Sequence, residues 1–348
     1  MAKELTRIMP ASQSLKERAA ETAERISMIL DEGTPENTRR AYAGDLAYME
    51  AWCLVKTGHN LPFPTPIELV YEFITDHVFG LKDKSVENAL IEMGMKARPG
   101  PHKMATIVRR ISTLSVIHQT KGMKERNPCW SAQVKVLMKK ARKRAVRRGE
   151  RPSKKRAITR DLLEEINRSF DKTNIRDVRD KAILCFAWAS GGRRRSEVAA
   201  ARCEDLVRHG NGFIYTLPFS KTDQEGKGVK VPVQGVAARA LSEWLRRSGI
   251  NEGPIFRPIS KTGTIINRYM TPQDIARIVK HHAANIGMDP SSIGGHSLRS
   301  GFVTSAGKMG IPIGSAMAMS THRDTDVFMS YYQEGEMLNN PAADMLKE

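Results

Sequence analysis

Apolar residues recur at helical spacing from the start of the chain. Leu15, Ala19, Ala23, Ile26 and Leu30 mark one face of a first helix, which Gly33 closes. Thr34-Pro35-Glu36 then opens a second helix in which Tyr42, Leu46, Met49 and Trp52-Cys53 share a buried side. Pro62, Pro64 and Pro66 interrupt the chain, and residues 67–78, 85–95, 102–120 and 131–145 each carry a further amphipathic pattern. No alternating strand pattern precedes residue 200, so the N-terminal half is predicted to be an α-helical bundle.

Beyond it, Thr159 with Asp161 and Glu164 reads as the capped, acidic start of a helix. The stretch 176–190, with Val178, Ala182, Ile183, Phe186 and Ala187, is apolar enough to centre a second core. The period shortens to two only at 212–217 and 227–233, which predicts a small antiparallel sheet. Helices follow at 236–247 and from Thr271-Pro272-Gln273-Asp274, a capping box with proline at the first helical position. Ile275, Ile278, Val279, Ala283 and Ile286 form its buried stripe. His296 and Arg299 open the next helix, with Leu298, Phe302, Ala306 and Met309 on its buried side, and residues 311–319 form a short one with His322 at its exit. His322 and Tyr331 are nine residues apart, half a turn out of phase on an unbroken helix, so a turn must separate them. Asp324 is the candidate cap of a last helix on which Val327, Phe328 and Tyr331 share a side. The fold is therefore mainly α: a helical N-terminal domain, then a mixed α/β, mostly helical domain with a small antiparallel sheet.

Length and charge change this picture from a fold to a binder. A chain of 348 residues suits two domains, and a net charge of +18 calls for a polyanionic partner. Aromatic residues are only 6%, which disfavours a stacking platform for single strands and favours contact with duplex backbone. Residues 139–156 carry eleven basic side chains against one glutamate and straddle Gly149-Glu150-Arg151-Pro152-Ser153. That combination predicts domains at 1–146 and 159–348 joined by a basic linker at 147–158. Lys139, Lys140, Arg142, Lys143, Arg147, Arg148, Arg151, Lys154 and Lys155 are its candidate phosphate contacts. Arg39 and Arg40 join them, because basic side chains in a first helical turn oppose the dipole and an external phosphate would compensate.

Other classes recede. Cys53, Cys129, Cys185 and Cys203 show no paired spacing, which predicts reduced structural thiols without a zinc ribbon or disulfide framework. His281-His282 have no acidic or cysteine partners in register, so no metal is expected. No apolar run approaches the roughly 20 residues of a spanning helix, and the first residues lack a signal-peptide stretch, so a cytoplasmic protein is expected.

The candidate chemistry lies in one ordered set: Gly192-Arg193-Arg194-Arg195-Ser196-Glu197, Phe219-Ser220-Lys221-Thr222, Gly295-His296-Ser297-Leu298-Arg299, His322 and Tyr331-Tyr332. Arginines clamp phosphate oxygens with forked donors, histidines exchange protons, and a tyrosine hydroxyl can attack phosphorus. In that order the set resembles the tyrosine site-specific recombinases, the phage integrase, Xer and Cre-like family, and Asn37-Thr38-Arg39-Arg40-Ala41-Tyr42 is similar to the opening of their core-binding domain.

The resemblance implies a helical core-binding domain followed by the catalytic domain. It selects Arg194 through Gly-x-Arg-x-Ser-Glu, with Glu197 as its buttress, and Arg299 through His-x-x-Arg. It implies that His296 and His322 bind the phosphate, His296 taking the tyrosine proton, and that a lysine on the β-hairpin protonates the leaving 5′ oxygen. Lys221 is preferred for this and Lys227 is the alternative. The nine-residue offset favours Tyr331 over Tyr332 as nucleophile. Many relatives carry an apolar residue where Arg193 stands and glycine where Thr321 stands. The implied reaction cuts and rejoins double-stranded DNA through a 3′-phosphotyrosine and a Holliday junction, without metal or cofactor, in a homotetramer of one dimer per site on two paired sites. DNA relaxation by a type IB topoisomerase and non-catalytic regulation by a DNA-binding protein are the alternatives.

Overall fold

The computed structural model describes residues 33–151, 154–218 and 228–337. The expected first helix, with Leu15 to Leu30, and both hairpin lysines, Lys221 and Lys227, lie outside the described residues. The chain divides into two compact units, Met1–Pro152 and Ser153–Glu348.

The first unit contains α1 (Glu36–Thr57), α2 (Ile67–Phe79), α3 (Lys84–Glu92), α4 (Met104–Thr120) and α5 (Ala132–Arg147). Local chemistry sets their ends: the Asp83 carboxylate accepts from Ser85 N–H at 2.8 Å, and the Ser131 hydroxyl accepts from Val134 N–H at 3.2 Å. Trp52, Phe73, Ile74, Leu90, Ile107 and Leu114 fill the core. A polar network penetrates it, because Tyr48 brings its hydroxyl within 2.8 Å of His77 Nε2 and 2.9 Å of His102 Nε2. Arg110 lies over the Tyr48 ring and donates to His102 at 2.9 Å. The segment after α5 still belongs to this unit, since the Glu150 carboxylate accepts from Met104 N–H at 2.7 Å.

The second unit contains α6 (Arg160–Arg168), α7 (Ile175–Ala189), α8 (Arg195–Ala199), strands β1 (Leu206–His209), β2 (Gly212–Leu217) and β3 (Val229–Val233), then α9 (Gly235–Ser248), α10 (Pro272–Asn285), α11 (Ser297–Lys308), α12 (Ile313–Ser320) and α13 (Thr325–Glu336). The sheet is antiparallel in the order β1-β2-β3, with Leu206 opposite Tyr215 and Tyr215 opposite Val231. The apolar α7 is buried as expected, with Ala182, Phe186, Tyr215, Trp244 and Phe256 in one core. Thr271 and Asp274 form the expected capping box on α10.

A smaller core of Val303, Ala306, Ala316, Phe328 and Tyr332 joins α11, α12 and α13. Here α11 and α13 meet backbone to backbone: a Cβ on Gly307 would stand 2.1 Å from Tyr332 O, and one on Gly335 would stand 1.9 Å from Thr304 O. The two glycines thereby fix the helix carrying Tyr331 against the helix that begins beside His296 and Arg299. Met309, expected in the buried stripe of α11, is exposed because the helix has ended and the chain turns at Gly310.

Candidate active site

Three consecutive arginines meet three different fates. Arg193 turns inward, 2% exposed, and donates to Met319 O while its Nε and Nη1 find no partner among the described residues. Arg195 lies against Gly295 and donates to Gln273 at 3.2 Å. Arg194 stands between them at the N-cap of α8, and Glu197 holds it by both ends: one carboxylate oxygen accepts from Arg194 N–H at 2.9 Å, the other from Nη1 at 2.6 Å. The buried carboxylate fixes a guanidinium that keeps about a quarter of its surface open.

Arg299 reaches the same place from α11. The turn that ends α7 makes room, since Gly192 has a left-handed φ of 70° and a Cβ there would meet Arg299 Cα at 2.4 Å. Arg299 Nη1 donates to Gly192 O at 3.1 Å and Nε donates to His322 Nε2 at 3.0 Å, while Nη2 is buried without a partner among the described residues. Burial first, and then Arg194 and Arg193, push its pKa down to about 10, so it remains a cation near neutral pH.

The histidines are kept neutral. Burial, followed by the charges of Arg299 and Arg194, lowers His322 to about 4 and also lowers His296. Because His322 accepts at Nε2, its proton lies on Nδ1 and is donated to Ser320 Oγ at 2.7 Å. In this arrangement His322 orients Arg299 rather than offering its own donor to a ligand. The residue before it, Thr321, adopts the left-handed region with φ 52° and ψ 39°, the geometry a glycine would take freely.

The two tyrosines separate by burial. Tyr332 is 4% exposed, stacks on Phe328 and donates its hydroxyl to Ile311 O at 2.7 Å. Tyr331, half-buried, packs at the edge of the same small core, and its hydroxyl makes no hydrogen bond among the described residues. Asp324 caps that helix, accepting from Asp326 and Val327 N–H groups at 3.0 and 3.1 Å, and provides the turn that the His322 to Tyr331 spacing requires.

Arg194, His296, Arg299, His322 and Tyr331 thus line one cavity of about 370 Å³. The sixth candidate, Lys221, lies outside the described residues. Arg323 also lines the cavity and was missed in the sequence, although its place next to His322 was the signal available. The lining holds three arginines against Asp324, and it can take an anion with oxygens spread between Arg194 and Arg299.

The basic candidates are placed as follows. Lys139, Lys140, Arg142, Lys143, Arg147, Arg148 and Arg151 are exposed on the first unit, and Lys154 and Lys155 on the second. Lys140, Lys143, Arg147 and Arg148 line a cavity of about 520 Å³ with Phe79, joined by Arg144, whose guanidinium lies 4.2 Å from the Phe79 ring centre. Arg39 and Arg40 both pair with Glu36 in their own first turn, so α1 supplies a compensating charge itself. His282 is buried against Asp180 at 3.0 Å, an acidic partner that the sequence spacing did not show.

Comparison with known proteins locates this arrangement. The sequence profile of the phage integrase family matches residues 156–336. The chain is 29% identical over 341 residues to the integrase/recombinase xerD homolog of Selenomonas ruminantium, covering 94% of this chain and 92% of that protein. It is 23% identical over 242 residues to the recombinase cre of Escherichia phage P1, covering 65% of this chain and 69% of that protein. In fold it is similar to the Tn1549 transposon integrase solved in complex with transposon right end DNA, with a TM-score of 0.57 at 15% identity over 91% of this chain and 97% of that one.

Proposed function

The chain belongs to the phage integrase family, and on that premise we propose that it recombines double-stranded DNA at specific sites by attack of Tyr331 on a backbone phosphate clamped between Arg194 and Arg299. It is an enzyme that breaks and rejoins DNA strands. The observation that carries the assignment of roles is Arg299: it is anchored at two nitrogens, its third, Nη2, is buried without a partner among the described residues, and the residue lines the same cavity as Tyr331. A buried guanidinium nitrogen left without a partner is costly unless a ligand completes it.

A scissile phosphate places its non-bridging oxygens toward Arg194 and Arg299, whose orientations Glu197 and His322 already fix, so little reorganisation accompanies the growth of charge on those oxygens. Neutral His296 accepts the Tyr331 proton as the phenolic oxygen bonds to phosphorus. The bond to the 5′ oxygen breaks, and Lys221, or Lys227 in its place, protonates that oxygen. The resulting 3′-phosphotyrosine conserves the ester, so a 5′-hydroxyl from a second duplex can attack it, expel Tyr331 and reseal the strand without ATP or metal. The exposed basic side chains of residues 139–155 hold duplex backbone. Two paired sites, each holding a dimer, exchange strands through a Holliday junction within a tetramer. The two units correspond in role to a DNA-binding domain and a catalytic domain. No helix among the described residues is long and apolar enough to cross a membrane, and the reaction is assigned to the cytoplasm.

The test is incubation with DNA flanking the protein's own gene, followed by detergent. A detergent-stable protein–DNA adduct and exchange between two sites are expected. An adduct that only relaxes supercoils, with no exchange, would instead place the chain with type IB topoisomerase chemistry.

A further inference from the structure

The end of the basic run is laid along the second unit. Arg156 N–H donates to Ser292 O at 2.8 Å, Ile158 N–H to Ser297 O at 2.8 Å and Lys155 Nζ to Ser291 O at 2.6 Å. These acceptors lie in and just beyond the turn that leads into His296 and Arg299. Beside them, Lys154 places its Nζ 5.0 Å from the centre of the Tyr331 ring and 3.7 Å from a Glu334 carboxylate oxygen. Glu334 follows Tyr331 by three residues on α13, so ring and carboxylate share one face and together form a seat for a single ammonium group. This short segment therefore touches both the His296–Arg299 element and Tyr331.

We propose that Lys154 is a positioning residue for Tyr331, holding the ring in a parked orientation until a DNA phosphate draws the lysine away. The inference rests on the reading of Tyr331 as nucleophile. Lys154 and Glu334 are 53% and 56% exposed, and contacts of that kind bias a population only about 2- to 5-fold. Such a hold is strong enough to favour the parked state and weak enough to be exchanged. Duplex DNA supplies the competitor, since a phosphate contact gains from counterion release as well as from charge pairing. Because Lys154 belongs to a run in which most of the other basic side chains are exposed, engagement of that run by backbone phosphates and release of the nucleophile become one event.

Three variants of the full chain test this: Lys154→Met, which keeps the stem and drops the charge, Glu334→Gln, and Lys154→Arg. In DNA-free protein, electrophilic iodination of Tyr331, read by peptide mass spectrometry, rises about 2- to 5-fold in the first two and stays at the parent rate in Lys154→Arg. With duplex DNA, Glu334→Gln tightens binding by a similar factor, and that gain disappears in the Lys154→Met background. Lys154→Met lowers the salt slope of binding by about 0.9. Unchanged iodination in Lys154→Met, an unchanged salt slope, or a Glu334→Gln gain that persists without Lys154 each overturn the proposal. None of these readouts requires strand cleavage, so a parent protein that forms no adduct would count against the functional reading alone.

Discussion

Arg299 and His322 are joined by a 3.0 Å hydrogen bond from Nε to Nε2, in which the histidine is the acceptor. The bond ties α11 to the turn before α13, so one contact sets both Arg299, the proposed phosphate clamp, and the turn that leads to Tyr331. His322→Phe keeps the ring's bulk and removes the acceptor. Loss of a hydrogen bond to a charged group, about 1.5 to 3 kcal/mol, should slow adduct formation roughly 10- to 100-fold with DNA affinity nearly unchanged. Single-turnover cleavage at saturating DNA measures it, and equal losses in rate and affinity would point to a binding role instead.

The same histidine is one of several that couple stability to pH. In the first unit, burial pushes His77 and His102 down to about 3, while Arg110, Lys96, Tyr48 and Glu87 surround them. A histidine with a depressed folded pKa favours folding fully above its unfolded value of about 6.5, and that contribution is lost as pH falls from there through the folded value. Chemical denaturation should therefore show stability falling steadily between about pH 6.5 and pH 3, and His102→Asn should flatten that fall.

Thr321 occupies the left-handed region as a β-branched residue, at a cost of about 1 to 2 kcal/mol. Its hydroxyl is buried without a partner among the described residues. Thr321→Gly should raise the denaturant midpoint by an amount corresponding to about 1 kcal/mol, less the extra chain entropy of glycine. A lower midpoint would mean that the threonine methyl packs well enough to outweigh the strain.

DNA affinity should fall steeply with salt. Neutralising Lys140, Lys143 and Arg147 together should flatten the slope of log affinity against log salt by about 0.9 for each phosphate contact removed. Glu36 already pairs with Arg39 and Arg40, so the same change at those two should flatten it less. An unchanged slope in the triple variant would make the basic face of α5 a solvated one.

The sequence is most legible where the physics is local. Apolar spacing and the caps at Thr271 and Asp324 depend on neighbours within one turn, and those helices begin where the sequence places them. The strand Leu206–His209 was not predicted because its Leu-Val-Arg-His sequence has no buried alternation, and it exists through pairing with β2. The fate of Arg193 was hidden for a related reason: nothing nearby says that a charged residue will be buried, and its partner, Met319 O, lies more than a hundred residues away. Arg144 was passed over within a run of similar charges, since only the fold brings Phe79 beneath it. The compensation of Arg39 and Arg40 by Glu36, by contrast, was open to view three and four residues back.

The central claim is that Tyr331, and not Tyr332, carries the covalent link. Tyr332→Phe removes a partly buried hydrogen bond to Ile311 O and should cost about 1 kcal/mol of stability while leaving the detergent-stable adduct intact. Tyr331→Phe should bind DNA with parent affinity and form no adduct, because only the attacking oxygen is gone. The decisive measurement is peptide mass spectrometry of the nuclease-trimmed adduct: the account predicts the phosphonucleotide on Tyr331, and finding it on Tyr332, or an adduct that survives in Tyr331→Phe, would contradict it.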